Sequence, residues 1–215
     1  MVAGDEKGYV FYRGVEFECV PLQEVRYWVG WEESLSRLRA GGFERHPRPQ
    51  EVFGLLMEGL EGKLGMQTEQ YRLGRQIASN WNCEWLSVAF ERRKDDLVVY
   101  LDPEGLGGDE EGEQVLDSFA YAECGVFPVG GLPSDCEVDL EQFDDAFVRY
   151  LYGRPSRLLP RDMGGLGEPD WQVRVVLPHE GWITPVSHGC GRITYIKAGF
   201  DDAVSRGVRV RRSPL

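Results

Sequence analysis

The sequence predicts an α+β fold with about four helices and mixed, mostly antiparallel sheets, ending in a β-rich portion after a linker rich in glycine and proline. Segments with alternating apolar and polar residues, which are typical of strands, occur among segments with helical spacing of apolar residues. They do not follow the regular strand–helix–strand order of a parallel α/β sheet. A chain of 215 residues that is 42% hydrophobic can bury one sizeable core or two small ones, which excludes a mostly disordered protein.

The first third of the chain predicts a strand pair followed by three helices. Residues 9–13 and 15–20 are strand-like, and Gly14 between them indicates a tight turn. Apolar residues then recur at helical spacing in three segments. These helices are expected to begin near Pro21, Pro49 and Thr68.

The clearest local signal is an antiparallel hairpin in the middle of the chain. Two apolar, strand-like runs, residues 85–90 and 97–101, flank a charged turn at 91–96. If these runs pair, the alternate apolar residues from Leu86 to Phe90 should face one core. A further strand is expected within residues 119–129.

A helix is expected after this hairpin region. Asp139 has the character of an N-cap, Gln142 stands three residues later as in a capping box, and Gly153 lies just past the expected end. The buried side of this helix would be one apolar stripe, formed by Leu140, Phe143, Phe147 and Leu151.

A segment rich in glycine and proline divides the chain. Residues 153–170 contain four glycines and three prolines, which predicts a linker or a long irregular loop. We therefore expect an α+β main domain over residues 1–152 and a small β-rich unit over residues 171–215. A unit of about 45 residues has a marginal core, so it should pack on the main domain. Its strands are expected at 171–177, 193–196 and 208–210.

Negative charge is concentrated in one central segment. The net charge is −12, and residues 95–148 contain 16 acidic residues and no lysine or arginine, whereas the rest of the chain has 20 acidic and 24 basic residues. This segment is either a solvated loop or a surface that contacts a protein with a basic surface, or that mimics nucleic acid. The charge argues against direct binding to nucleic acid or to an anionic membrane. The candidate binding residues are Asp109, Glu110, Glu111 and Glu113.

The cysteines and histidines do not predict a disulfide framework, a metal site or a cofactor. Five cysteines are present, none in a C-x-x-C pair, and the acidic run lacks the spacing of a calcium-binding EF-hand. Free cysteines favour a reducing compartment. With no visible export signal and no apolar run that could span a bilayer, we expect a cytoplasmic protein.

One short motif could carry chemistry. The run Ser187-His188-Gly189-Cys190-Gly191-Arg192 resembles the S-H-G-C-x-R active-site motif of the L,D-transpeptidases, a family of cell-wall cross-linking enzymes. The resemblance implies an all-β fold with Cys190 as the acylated nucleophile and His188 and Arg192 beside it. His179 would take the place of the family's upstream histidine. The alternative is an ordinary strand and turn with Cys190 packed as a small hydrophobic residue.

Two functions from different classes therefore remain open. The first is a macromolecular-interaction protein, such as an inhibitor, an immunity-type protein, an adaptor or a mobile-element accessory protein, which uses the acidic segment 95–148. The alternative is a cysteine-dependent, acyl-transfer type of enzyme centred on Cys190. A homo-oligomer could form if the arginines near the end of the chain contact the acidic segment of another copy.

Overall fold

The computed structural model describes part of the chain, and its elements confirm the predicted α+β class. The described residues are 9–18, 31–60, 69–78, 84–103, 123–134, 137–154, 172–178, 181–183, 186–190, 193–197 and 206–210. The helices are α1 Trp31–Ala40, α2 Pro49–Leu60, α3 Glu69–Ala78 and α4 Asp145–Tyr152. The strands are β1 Tyr9–Tyr12, β2 Val15–Glu18, β3 Glu84–Trp85, β4 Val88–Arg93, β5 Asp96–Leu101, β6 Glu123–Pro128, β7 Glu137–Asp139, β8 Gln172–Val176, β9 Gly181–Ile183, β10 Val186–Cys190, β11 Ile193–Lys197 and β12 Val208–Val210.

The strands form three sheets. Their orders are β1-β2-β12, β3-β10-β11-β8-β7 and β6-β5-β4-β9. The pair β8 and β11 is parallel, and the other strand pairs among the described residues are antiparallel. In every sheet, a strand from residues 172–210 pairs with a strand from residues 15–139. The predicted C-terminal β-rich segment thus contributes strands to all three sheets, whereas residues 155–170 of the predicted linker lie outside the described residues.

The tight turn predicted at Gly14 is confirmed. Strands β1 and β2 pair with Tyr12 opposite Val15, which leaves Arg13 and Gly14 as a two-residue turn. Their φ angles of 46° and 86° are both positive, as a type I′ hairpin turn requires. Glycine relieves the strain at one of these positions, and the arginine side chain is held at the tip of the hairpin.

The central hairpin is also confirmed, with its strands reaching further into the charged segment than the sequence predicted. Strands β4 and β5 pair up to Arg93 and Asp96, so the turn is shorter than the charged segment 91–96. Leu86, Val88 and Phe90 are buried in the main hydrophobic core, as expected. The prediction was wrong for Trp85, which lies in β3 and pairs with a strand of the five-stranded sheet.

Helix α4 has the predicted end but not the predicted beginning. Asp139 ends β7 and its side chain caps no helix, because residues 140–142 form a separate 3₁₀ turn that is followed by extended backbone at Phe143. The N-cap is Asp144, whose carboxylate accepts a hydrogen bond of 2.6 Å from the backbone N–H of Ala146. Gly153, with a φ of 70°, terminates the helix in the left-handed conformation.

A buried ion pair joins two of the sheets. The guanidinium of Arg206 donates to the carboxylate of Glu84, and both side chains are completely buried. Arg206 Nη1 also donates to the backbone carbonyl of Glu18 over 2.6 Å. Because Glu84 belongs to β3 and Glu18 to β2, this contact, which we call the Arg206 junction, ties the five-stranded sheet to the three-stranded one.

Replacing Glu84→Gln should destabilise the protein by about 3–5 kcal/mol, because it leaves the buried Arg206 charge without a counter-ion. The measurement is the free energy of unfolding from urea titration. Glu33→Gln is the matched control, since Glu33 forms a solvent-exposed pair with Arg37 and should contribute less than about 1 kcal/mol. Equal effects of the two substitutions would contradict the structural role of the junction.

A buried histidine lies near the same junction. His46 is fully buried, and its Nε2 lies 3.2 Å from the hydroxyl of Ser34. Burial lowers the pKa of His46 to about 3, because the charged imidazolium would lose its hydration. The native protein therefore holds this ring neutral at pH values where the unfolded chain has already protonated it.

This burial predicts sensitivity to acid. The unfolded chain takes up the proton near pH 6.5, whereas the native state does so only near 3. Each pH unit between these values should therefore remove about 1.4 kcal/mol from the free energy of unfolding. In an NMR titration, the ring protons of His46 should keep the neutral-form shift down to about pH 4.5 in the native state and titrate normally in urea. A midpoint near 6.5 in the native protein would contradict the prediction.

Candidate functional site

The cysteine motif is described only through the backbone of strand β10. His188 pairs with Tyr195 of β11 and Cys190 pairs with Ile193, in an antiparallel register. Positions 188 and 190 are two residues apart, so they lie on the same face of the sheet. His179 and Arg192 lie outside the described residues, so the catalytic arrangement stays a prediction.

The fold that the motif implies is not the observed one. The L,D-transpeptidase resemblance predicted an all-β domain, whereas this chain contains four α-helices among its described residues. Helices α2 and α4 contribute Val52, Phe147 and Leu151 to the same hydrophobic core as the strands. The six-residue motif therefore lies on a different architecture, as short motifs can.

The acidic segment is only partly described. Asp109, Glu110, Glu111 and Glu113 lie outside the described residues, so their role stays a prediction. Five acidic residues in the described part of the segment are exposed. They are Asp95, Asp96, Asp139, Asp144 and Asp145.

Strand β6 adds an exposed apolar side chain to this acidic region. Among the described strands, β6 pairs with β5 alone and so ends the four-stranded sheet. Val126 is 62% exposed, and the Cys124 thiol beside it is also exposed. Asp96 is opposite Pro128 at one end of β6, and Val129 donates its N–H to the carbonyl of Asp95 over 2.7 Å. Apolar and acidic groups therefore meet at the end of one sheet.

Asp102, one acid of this segment, forms ion pairs within the fold. Asp102 lies at the end of β5, where both of its carboxylate oxygens are 3.0 Å from Nε of Arg48 and one is 3.4 Å from Nε of Arg45. Arg45 in turn binds Glu51 through two hydrogen bonds, and Glu51 accepts from the N–H of Arg48 over 2.9 Å. This last bond completes half of a capping box at the start of α2.

The same network forms a wall of a cleft of about 270 Å³. Three segments that are distant in sequence line it: residues 12–15 at the first hairpin turn, residues 48–54 at the start of α2, and residues 152–154 at the end of α4. The lining includes three arginines but a single carboxylate, that of Glu51. We call it the arginine–tyrosine cleft, because Tyr12 and Tyr152 also line it. No sequence motif indicates it, since its charged residues belong to three unrelated local patterns.

Metal binding and membrane spanning find no support in the described part of the chain. No group of three or more histidine, cysteine, aspartate or glutamate side chains there could hold a metal ion. None of the described helices is both long enough and apolar enough to cross a membrane.

Comparison with known proteins does not extend these observations. No family model matches the chain, and no significant similarity to a curated protein or a solved structure is found.

Alkylation separates the two interpretations of the cysteine motif. We expect a thiol reagent at neutral pH to label the exposed Cys124 in the native protein and to label Cys190 only after denaturation, as a packed strand residue would behave. Peptide mapping by mass spectrometry distinguishes the two sites. Fast native labelling of Cys190 that falls in a His188→Ala or His179→Ala variant would instead indicate a thiolate activated by an imidazole, with a pKa well below about 8.5.

Proposed function

We propose that this chain is a macromolecular-interaction protein that binds a partner with a basic surface through its acidic segment, residues 95–148. The observation that carries the proposal is the segregation of charge, because this segment has 16 acidic residues and no lysine or arginine. An uninterrupted negative region gives a long-range field that attracts a basic partner and rejects an acidic one.

The residues of this segment around strand β6 support the proposal. Interfaces that bind specifically combine a central apolar contact with a polar rim. Val126 is the most exposed of the large apolar side chains in the described residues, and the acidic Asp95 and Asp96 lie beside the end of its strand. We place the contact here, with Val126 in the apolar centre and the carboxylates in the rim.

The same negative charge favours one broad kind of role for this chain, in which it acts by binding another macromolecule. An inhibitor, an immunity-type protein, an adaptor and a mobile-element accessory protein all act by occupying another macromolecule rather than by chemistry of their own. Each would gain specificity from a negative surface that complements a basic one. We propose that the protein does this in the cytoplasm, where its five cysteines would stay reduced.

The alternative is a cysteine-dependent enzyme of the acyl-transfer type. The shared sheet face of positions 188 and 190 favours it, since an imidazole must lie near the thiol that it activates. Its proposed residues remain Cys190, His188, His179 and Arg192.

Neutralising the acidic residues 110–113 should weaken binding to a basic probe. In a Glu110→Gln, Glu111→Gln, Glu113→Gln variant, we expect the Kd for an arginine-rich peptide to rise about tenfold, because each charge pair formed with the peptide at a solvated surface contributes about 0.5 kcal/mol. The salt dependence of Kd should become shallower. Fluorescence anisotropy of the labelled peptide at several salt concentrations measures both quantities, and the variant that also carries Asp109→Asn should extend the trend.

The matched control removes the same charge elsewhere. Glu33→Gln, Glu44→Gln and Glu69→Gln together also neutralise three exposed glutamates, all of them outside residues 95–148. We expect this control to change Kd by less than about twofold, because its charges lie outside the proposed surface. Equal effects of the two variants would show that only net charge matters. A large loss of stability in the variant of Glu110, Glu111 and Glu113 would show that these acids hold the fold together.

A further inference from the structure

The arginine–tyrosine cleft has a charge opposite to that of the protein as a whole. Its lining contains Arg13, Arg48 and Arg154 against the single carboxylate of Glu51, in a chain whose net charge is −12. The ion pairs of the wall account for part of this charge, since Arg48 binds Asp102 and Glu51 binds Arg45. By formal charge the lining side chains are three guanidinium groups and one carboxylate, a composition that favours an anion.

The two helices that border the cleft act on its polarity in opposite ways. The first turn of α2 lies in the wall, and the N-terminus of a helix carries partial positive charge. At the end of α4, where the carbonyl groups carry partial negative charge, Arg154 supplies a compensating cation one residue past Gly153.

Two buried hydroxyl groups lie at the same place. The side chains of Tyr12 and Tyr152 are 6% and 2% exposed; the Arg13 side chain donates toward the Tyr12 hydroxyl, and the Tyr152 hydroxyl has no hydrogen-bond partner among the described residues. A buried hydroxyl without a partner is unfavourable and rare in native proteins. Both tyrosines line the cleft, so a ligand bound there could accept a hydrogen bond from each of them.

The position of Tyr12 depends on close packing against α2. A β-carbon at Gly54 would lie only 2.7 Å from the hydroxyl oxygen of Tyr12, so glycine allows the phenol to lie against the helix. Burial raises the pKa of Tyr12, while the positive charges of Arg13 and Arg154 and a hydrogen bond from the Arg13 side chain oppose this rise. Burial also raises the pKa of Tyr152 well above its usual value. Both hydroxyls are therefore protonated at neutral pH and act as donors.

We propose that the arginine–tyrosine cleft binds an oxyanion, a phosphate or a carboxylate group of a small ligand, between Arg13 and Arg154, with the hydroxyls of Tyr12 and Tyr152 as donors. Guanidinium groups bind both kinds of oxyanion through paired hydrogen bonds. A volume of about 270 Å³ is slightly below the range of drug-sized pockets, which limits the ligand to a small molecule. The residues that line the site lie outside the acidic segment 95–148, which touches the cleft wall through the ion pair of Asp102 with Arg48.

Titration of the full chain with two probes tests the proposal. Inorganic pyrophosphate represents the phosphate class and succinate the carboxylate class, and sodium chloride at matched ionic strength controls for general salt effects. We expect saturable binding of at least one probe in isothermal titration calorimetry, with a matching rise in the melting temperature. The probe that binds more tightly identifies the class of the group. The absence of saturable binding by both probes would overturn the proposal.

Three variants locate the binding. Arg13→Gln and Arg154→Gln should each weaken binding about tenfold or more, because each removes a charged donor. Arg39→Gln removes an exposed arginine of α1 and should leave binding unchanged. Binding that survives both cleft variants would place the anion elsewhere on the protein and overturn the assignment.

A pair of tyrosine variants separates a binding role from a structural one. Tyr152→Phe should weaken binding about fivefold or more, yet leave the stability of the ligand-free protein unchanged or higher, because the hydroxyl that it removes has no partner. Tyr100→Phe is the control. The Tyr100 hydroxyl donates to Glu91 over 2.7 Å, so its loss should lower stability without changing binding. A Tyr152→Phe protein that loses stability and keeps full affinity would contradict the proposal.

Discussion

The buried ion pair between Arg206 and Glu84 is the contact on which the meeting of the sheets depends. Moving two charges out of water costs several kcal/mol for each ion, and their mutual attraction only roughly offsets this cost. The additional bond from Arg206 to the carbonyl of Glu18 satisfies a further donor and involves a second sheet. The ion pair therefore contributes more to the alignment of the two sheets than to the net free energy of folding. A shifted alignment of these strands would leave a charge buried without its partner, which makes such an alignment unfavourable.

The local elements could be predicted because short-range patterns encode them. The Arg13-Gly14 turn, the alternation in β4 and β5, and the terminating Gly153 each depend on neighbours within a few residues. The start of α4 was misplaced because Asp139 and Asp144 are both plausible caps, and only the extended backbone at Phe143 decides between them. The three-sheet topology was not predictable from such patterns. Arg206 and Glu84 are 122 residues apart, and nothing in the periodicity of either segment indicates their partner.

The two candidate sites also differ in how readily the sequence reveals them. A count of charges along the chain was enough to find the acidic segment, because its acidic residues lie in one stretch that has no lysine or arginine. The arginine–tyrosine cleft brings together single residues of three separate segments, none of which is unusual in its own context. Asp102 connects the two regions. It is counted in the acidic segment, but its carboxylate is committed to Arg48 and Arg45 and so helps to shape the wall of the cationic cleft. Sequence position alone would have assigned it to the wrong surface.

The pairing of β12 with β2 has a consequence for how the chain is made. Arg209 and Glu16 lie 193 residues apart and form an ion pair across this strand pair, so the contact is highly non-local. During vectorial synthesis the hairpin of β1 and β2 leaves the ribosome well before its neighbour β12, because 193 residues separate the two paired side chains. Throughout that interval one edge of β2 can pair with strands of other nascent chains. High contact order also slows folding after release. The glutamates that alternate along β2, Glu16 and Glu18, would then act as gatekeepers that keep the open edge from premature association.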